Sequence, residues 1–359
     1  MKRTITISIE QLNRPQPGGI ATYVRGLVAG LHVLDDPTLD VVGVGPRGVA
    51  GSNGELPLRA VQAPCGVRLL SRLWSLWPLG VPNDSDVVHA TSMAGPFGGG
   101  SKDAVHSVAM HDLLWRDEPG ISTPAGLRFH DRRLKLIADR RDLRVIVTSP
   151  GLADRLVDEG IDESRIYSAR LGVDEDLDNA ATVSSVRAFL AGHGVPGPFT
   201  LYAGTREPRK NIDRLLAAHH AARAINPDLG PLVLAGPSGW GGVATGDAVV
   251  LGSVPRDVLL GLYRDAAVFA YVPRAEGWGL PPVEALNAGA RVVASTTTPS
   301  VANNDLVVRV DPLDLESIAE GLLTALNQGV DDGAQLARRE SVADLTWRNV
   351  ALDHLAAWR

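Results

Sequence analysis

Glu276 and Glu284 stand with seven residues between them in Arg274-Ala275-Glu276-Gly277-Trp278-Gly279-Leu280-Pro281-Pro282-Val283-Glu284. Between them lie a glycine-flanked tryptophan and a double proline. Prolines at the front of an apolar run mark a helix start, because the missing N–H would find no intrahelical partner there. This spacing predicts Glu276 on a loop and Glu284 near the first turn of the helix. The amides of Gly277, Trp278, Gly279 and Leu280 can then converge on one spot, and amides at a helix start suit an anion. Two acids, converging amides and a helix start together predict a site for a phosphorylated ligand that carries hydroxyls.

A basic cluster could serve the same ligand. Gly204-Thr205-Arg206-Glu207-Pro208-Arg209-Lys210-Asn211 follows an apolar run at 199–203 and precedes a helical pattern from Ile212. Cations at a strand's carboxyl end and a helix start suit a diphosphate. On charge alone a solvated turn is the default, and the position favours function. Gln16-Pro17-Gly18-Gly19-Ile20 lies between the first predicted strand and its helix, where Gly18 and Gly19 let the backbone approach a ligand. No Lys-Ser/Thr follows, so this is not a Walker A loop. His111, followed by Asp112, ends a predicted strand, and His89 ends another; polar residues at such ends face the ligand crevice of open α/β sheets.

Other motifs carry less. Gly43 to Gly48 formally matches G-x-G-x-x-G, but loop-like sequence follows where a dinucleotide fold needs a helix. Asp174-Glu175-Asp176 matches a metal-binding D-x-D pattern but reads as a solvated linker. No histidine pair has zinc spacing, and the single cysteine, Cys65, excludes a disulfide framework within the chain.

The elements that must position these groups alternate. Strands are predicted at 4–9, 41–44, 87–90, 108–111 and 145–148, and a second series at 199–203, 232–235, 249–251, 268–272, 292–295 and 306–310. Helical patterns fall at 21–31, 125–138, 212–225, 255–265 and 315–328. Such alternation predicts parallel sheets covered on both faces. The series restarts near residue 199 after an acidic stretch, so 359 residues divide into two doubly wound α/β domains, at 1–175 and 176–343. Net charge is −6 and the hydrophobic fraction 45%, which predicts globular cores and argues against nucleic acid as a partner.

The alternating N-terminus reads as a strand rather than a signal peptide, and no apolar run nears the ~18 residues of a membrane span. A cytoplasmic protein is expected, with peripheral contact at the inner face of the plasma membrane. The stretches 68–77 and 128–135 combine arginines with tryptophan or aromatic residues in the manner of interfacial helices. Each reads first as a helix packed on its own domain with a solvated basic face.

Together the motifs resemble the retaining glycosyltransferases of family 4, of bacterial mannosyltransferase type, with the GT-B fold: two doubly wound Rossmann-like domains facing a central cleft. The resemblance covers almost the whole chain. It rests on the E-x7-E element from Glu276 to Glu284, on Glu207-Pro208-Arg209-Lys210-Asn211, and on Gly18-Gly19-Ile20-Ala21-Thr22-Tyr23. Val88-His89, Met110-His111-Asp112-Leu113, Leu234-Ala235-Gly236-Pro237 and Leu251-Gly252-Ser253-Val254-Pro255 complete it.

The resemblance implies roles. Glu276, Lys210, His111 and Arg209 would be catalytic. Glu276 would hold the donor sugar, Lys210 with Arg209 or Arg206 would neutralise the leaving diphosphate, and His111 would touch the sugar. Glu284 would bind the ribose, Ser253 and Val254 would border the base, and Gly18, Gly19, Thr205 and Gly277 to Leu280 would line the donor. A C-terminal helix, 344–359, would cross back to the first domain. It implies a metal-independent, cofactor-free transfer from a nucleotide sugar, GDP-mannose favoured over UDP- or dTDP-sugars, to a glycan, lipid-linked or small-molecule acceptor. A nucleotide-sugar 2-epimerase and a non-catalytic nucleotide-sugar binder are the alternatives. Thr205, Arg170-Leu171-Gly172 and Pro299-Ser300-Val301 depart from the family's pattern.

Overall fold

The computed structural model describes residues 2–14, 18–48, 56–118, 120, 122–174 and 179–359. The chain divides into two compact units, Met1–Gly172 with Leu345–Arg359, and Val173–Asp344.

Unit 1 holds seven parallel strands: β1 Arg3–Ser8, β2 Leu39–Gly45, β3 Arg59–Gln62, β4 Val87–Ala90, β5 Val105–Met110, β6 Leu143–Val147 and β7 Ile166–Ser168. Their order is β3-β2-β1-β4-β5-β6-β7. Unit 2 holds six: β8 Thr200–Ala203, β9 Leu232–Ala235, β10 Val249–Gly252, β11 Val268–Tyr271, β12 Val292–Ser295 and β13 Val308–Val310, in the order β10-β9-β8-β11-β12-β13. Central strands such as Val87–Ala90 and Leu232–Ala235 are buried at every residue, as a parallel sheet covered on both faces requires. The edge strands β3 and β7 are missing from the sequence prediction. They are short and only half-buried, so they carry no continuous apolar run.

In both orders the chain direction reverses once, between β1 and β4 and between β8 and β11. Loops leaving the two strands at such a point diverge, opening a crevice at their carboxyl ends.

The last helix, Trp347–Ala357, lies in unit 1 against the helix Gly18–Val33. A Cβ at Gly26 would stand 2.1 Å from the Trp347 ring, and one at Gly30 would stand 2.0 Å from the Trp347 carbonyl oxygen. Only glycine permits this approach.

Candidate functional site

In unit 2 the loops after β8 and β11 both carry chemistry. After β8, Pro208–Lys210 forms one 3-10 turn, and Asn211 takes the left-handed conformation at φ 62° before the helix Ile212–Ile225. Asparagine is among the few non-glycine residues that adopt this conformation readily. Its buried amide donates to the Val272 carbonyl at 3.0 Å and the Pro312 carbonyl at 2.7 Å. The Arg274 N–H donates to the Arg209 carbonyl at 2.8 Å, closing the two loops on each other.

This closure brings together Glu276, Lys210 and Arg209. Glu276 Oε2 accepts from Lys210 Nζ, from Arg209 Nη1 at 3.1 Å and from the Tyr271 hydroxyl at 2.5 Å. Lys210 also donates to the Tyr271 oxygen, so one of its three N–H bonds is left for another acceptor. Burial alone would raise the Glu276 pKa; Lys210 and Arg209 outweigh it and hold the carboxyl at about 2. Burial pulls the Lys210 pKa down, and Glu276 offsets part of that. A buried ion pair contributes little net stability over an apolar replacement, so three charges gathered at a strand-end crevice make this the candidate functional site. Tyr271, at the end of β11, was absent from the sequence expectations. The signal for it was a hydroxyl at the last position of an otherwise apolar strand.

Gly277 N–H bonds Glu276 Oε1 at 3.2 Å. Gly279 has φ 97°, and a Cβ there would lie 2.5 Å from Thr298 Cγ2. Ser300, a departure from the family pattern, secures this turn: its hydroxyl donates to the Gly279 carbonyl at 2.6 Å and its N–H to the Trp278 carbonyl at 3.0 Å. The helix Leu280–Asn287 starts on the two prolines. Glu284 is its fifth residue, in the second turn rather than the first. Its Oε1 accepts from Arg256 Nη1 at 2.8 Å and its Oε2 from the Tyr263 hydroxyl at 2.9 Å.

Two donor-side residues make contacts within unit 2 itself. Arg206 Nη1 donates to the Gly236 carbonyl and Nη2 to Ser238 Oγ, both at 2.7 Å. Its guanidinium therefore ties the loops after β8 and β9 together, which commits two of its nitrogens. Thr205 contributes its carbonyl to the Tyr202 hydroxyl at 3.1 Å. Ser253 and Val254 lie on the loop between β10 and the helix Arg256–Asp265, Ser253 exposed and Val254 half-buried. Of the 174–179 stretch, Glu175 to Asp178 lie outside the described residues. Asp174 is anchored by Arg256 at 3.0 Å and, through its carbonyl, by Asn287 at 2.9 Å, so it is no free linker residue.

In unit 1, Gly18 and Gly19 form the first turn of the helix Gly18–Val33, Gly18 at φ 61°, instead of a separate loop. Gln16 and Pro17 lie outside the described residues. His111 follows β5, and its Nε2 donates to the Thr91 carbonyl at 2.8 Å. Burial lowers its pKa, so the neutral ring keeps Nδ1 as an acceptor, which suits a sugar hydroxyl rather than a developing negative charge.

His89 is buried, not aimed into a crevice. Trp358 Nε1 lies 2.8 Å from Ser107 Oγ, which lies 2.8 Å from His89 Nδ1. The Tyr23 hydroxyl lies 2.7 Å from both His89 Nε2 and His354 Nε2. His354 Nδ1 meets the Val350 carbonyl at 2.7 Å. An indole can only donate and a carbonyl can only accept, so every proton is assigned. Trp358 donates to Ser107, Ser107 to His89, His89 to Tyr23, Tyr23 to His354, and His354 to Val350. Burial lowers the pKa of both histidines, His354 to about 4, and keeps them neutral. The Tyr23 ring meets His111 edge-on at 4.9 Å.

The basic stretch 128–135 is only partly a solvated face. Arg133 is buried, stacked 3.5 Å from the Phe97 ring centroid, and donates to the Met93 carbonyl at 2.6 Å. Burial brings its pKa down to about 9. A cavity of about 520 Å³ in unit 2, lined in part by Arg264, Arg291 and Arg338, lies away from the strand-end loops. Its arginines are committed: Arg264 to Asp265, Arg291 to the Leu326 carbonyl, and Arg338 to the Gly289 and Gly329 carbonyls. Among the described residues no cluster of His, Cys, Asp or Glu could hold a metal, and no helix is long and apolar enough to cross a membrane.

Residues 197–328 match the family model described as "Glycosyl transferases group 1". The chain is 33% identical over 176 residues to the O-antigen chain mannosyltransferase B of Escherichia coli, covering 45% of each. It is 31% identical over 239 residues to a D-inositol 3-phosphate glycosyltransferase of Mycobacterium sp. (strain JLS), covering 62% of this chain and 50% of that one. The matches thus span about half the length of these curated relatives. Among solved structures, a sucrose-phosphate synthase from Thermosynechococcus elongatus aligns with TM-score 0.73 at 19% identity, over 100% of this chain and 98% of that one. HepE from Anabaena, solved with UDP and glucose, aligns with TM-score 0.69 at 15% identity, over 99% and 98%. At these identities the likeness shows the fold: GT-B, with a parallel α/β sheet in each unit.

Proposed function

We propose that this chain, whose residues 197–328 match the group 1 glycosyl transferases, is a retaining, metal-independent glycosyltransferase of that family that moves a sugar from a nucleotide-sugar donor to a glycan, lipid-linked or small-molecule acceptor. The observation that carries this reading is the meeting of Glu276, Lys210 and Arg209 at the carboxyl ends of β8 and β11, with Glu284 on the helix that follows.

The chemistry follows from what each group offers. When the glycosidic bond to the diphosphate breaks, positive charge grows on the sugar and negative charge on the leaving oxygens. The remaining Lys210 N–H, Arg209 and the amides leading into the helix Leu280–Asn287 stabilise that negative charge. Glu276, ionised and fixed by three donors, uses its less engaged Oε1 to accept sugar hydroxyls. Glu284 accepts from the ribose, and Ser253 and Val254 border the base. His111 receives a sugar hydroxyl at Nδ1. Glu207 shares Arg209 with Glu276, at 3.3 Å from its Nε; a carboxylate held in that ion pair is a poor glycosidase-type nucleophile, which supports attack from the face the leaving group vacates.

The relative named as a mannosyltransferase favours GDP-mannose, and the neighbour solved with UDP keeps UDP-sugars in view. Leu69, Leu76 and Trp77, exposed beside Arg68 and Arg72, support peripheral contact with an anionic membrane face. The test is nucleoside diphosphate release from GDP-, UDP- and dTDP-sugars over a broad acceptor panel, with chelator present. Release with retained anomeric configuration is expected; no release with any donor would overturn the reading.

A further inference from the structure

We propose that Arg256 is a positioning residue that holds Glu284 in the orientation its ribose contact needs, so that the preference for ribonucleoside over 2′-deoxyribonucleoside diphosphates depends on it. This rests on the reading that Glu284 meets the donor's ribose. Nothing in the sequence singled out Arg256, which is the first residue of the helix Arg256–Asp265.

Arg256 sits between two carboxylates from different segments. Nη1 donates to Glu284 Oε1 at 2.8 Å, and Nη2 stands 3.0 Å from Asp174 Oδ2. A planar guanidinium held at both ends has one orientation, which a lysine's single rotatable ammonium does not reproduce. On the other side of the carboxylate, the buried Tyr263 hydroxyl donates to Oε2 at 2.9 Å. Each Glu284 oxygen therefore has one donor already.

A carboxylate offers about four acceptor directions, two on each oxygen. Arg256 and Tyr263 occupy one on each, leaving one on each. Two remaining acceptors on adjacent oxygens match the two donors of a vicinal diol. The Glu284 side chain is only 13% exposed, so an acceptor left without its hydroxyl is poorly served by solvent. A 2′-deoxyribose supplies one hydroxyl of the two. Removing Arg256 frees the carboxylate to rotate and restores a second direction on Oε1, so the match to a diol is lost.

The experiment measures dissociation constants of the full chain for UDP, GDP, 2′-deoxy-UDP and 2′-deoxy-GDP by calorimetry, in wild type, Arg256→Ala, Arg256→Lys and Tyr263→Phe. The wild type is expected to prefer the ribonucleotide of its own base by about tenfold or more, ~1.4 kcal/mol. Arg256→Ala should weaken that ribonucleotide about tenfold and bring the preference near unity, raising KM rather than lowering kcat. Arg256→Lys should restore part of the preference, and it carries the test if the alanine variant does not fold. Tyr263→Phe should weaken the preference in the same direction. A wild type that binds nucleoside diphosphates without preferring ribose overturns the ribose contact of Glu284 on which this proposal rests; an Arg256→Ala chain that keeps both affinity and preference overturns this proposal alone. A wild type that binds none of the four overturns the functional reading beneath it.

Discussion

The cluster around Tyr23 and the cluster around Glu276 are both buried networks of short polar contacts, one in each unit, and they are built in opposite ways. The first holds no charge. Six groups from Trp358 to Val350 pass one proton direction along the line, and each donor in it has one acceptor. The second holds a carboxylate, an ammonium and a guanidinium, with an unused lysine N–H and a lightly engaged Oε1. A network with nothing to spare resists any change of partner. One with surplus donors and acceptors can trade a contact for a ligand. The neutral cluster therefore suits holding a shape, and the charged one suits meeting a substrate.

The largest effect should come from breaking the charged cluster. Lys210→Ala or Glu276→Ala should lower kcat by on the order of 10²–10³-fold or more while the far-ultraviolet dichroism stays native. Near-normal turnover in either would end the assignment of this site. Breaking the neutral cluster should show the converse. Tyr23→Phe leaves the His89 N–H and the His354 lone pair buried without partners, a loss of about 2–4 kcal/mol. It should appear as a lowered melting temperature with nucleotide affinity unchanged; an unchanged melting temperature would contradict the directional network.

The two clusters should also separate by pH. A histidine whose folded pKa is depressed binds its proton more readily when unfolded. The His354 contribution is therefore complete above 6.5 and is lost as pH falls toward about 4, up to about 3 kcal/mol. A carboxylate with a depressed folded pKa contributes above its unfolded value, so Glu276 loses its contribution only between 4.5 and about 2. Burial also pulls His219 of unit 2 down to about 4, so the comparison needs a His219→Gln background: there, denaturant melts followed from pH 7 to 4 should weaken unit 1 first, and simultaneous weakening of both units would undo the comparison. The smallest effect concerns the turn beside the charged cluster. Ser300→Ala removes one donor from the Gly279 carbonyl, worth about 1 kcal/mol, and should raise the donor KM a few-fold, with no rise expected if the turn holds itself.

Much of this could be read from the sequence where local chemistry decides it. The buried runs of β1, β4, β8, β9, β11 and β12 announce strands, and they lead to a doubly wound fold in each half. Glu276, Lys210 and Arg209 are legible because their loops follow such runs. Arg256, Tyr263 and Tyr271 were not, because their roles depend on partners 5 to 82 residues away that only folding brings near. The contacts of Arg206 to the Gly236 carbonyl and Ser238 were hidden for the same reason. The Tyr23 network joins residues up to 331 apart, and no local pattern encodes that.

The closing of unit 1 by residues 345–359 has a consequence in time. Unit 2 is continuous in sequence and can fold as it is made, whereas unit 1 begins before it and is completed after it. The 186 residues from Val173 to Trp358 take roughly 10–40 s to synthesise at common rates. During that interval Tyr23 and His89 wait without His354, and the groove at Gly26 and Gly30 waits without Trp347. Limited proteolysis of ribosome-stalled chains that end before residue 345, or that carry residue 359 followed by an added flexible linker long enough to clear the ribosome, would read this, equal protection of unit 1 in both contradicting it. The unit begun before residue 173 thus depends on a helix made after residue 344, and a chain interrupted between the two has one unit folded and the other still open.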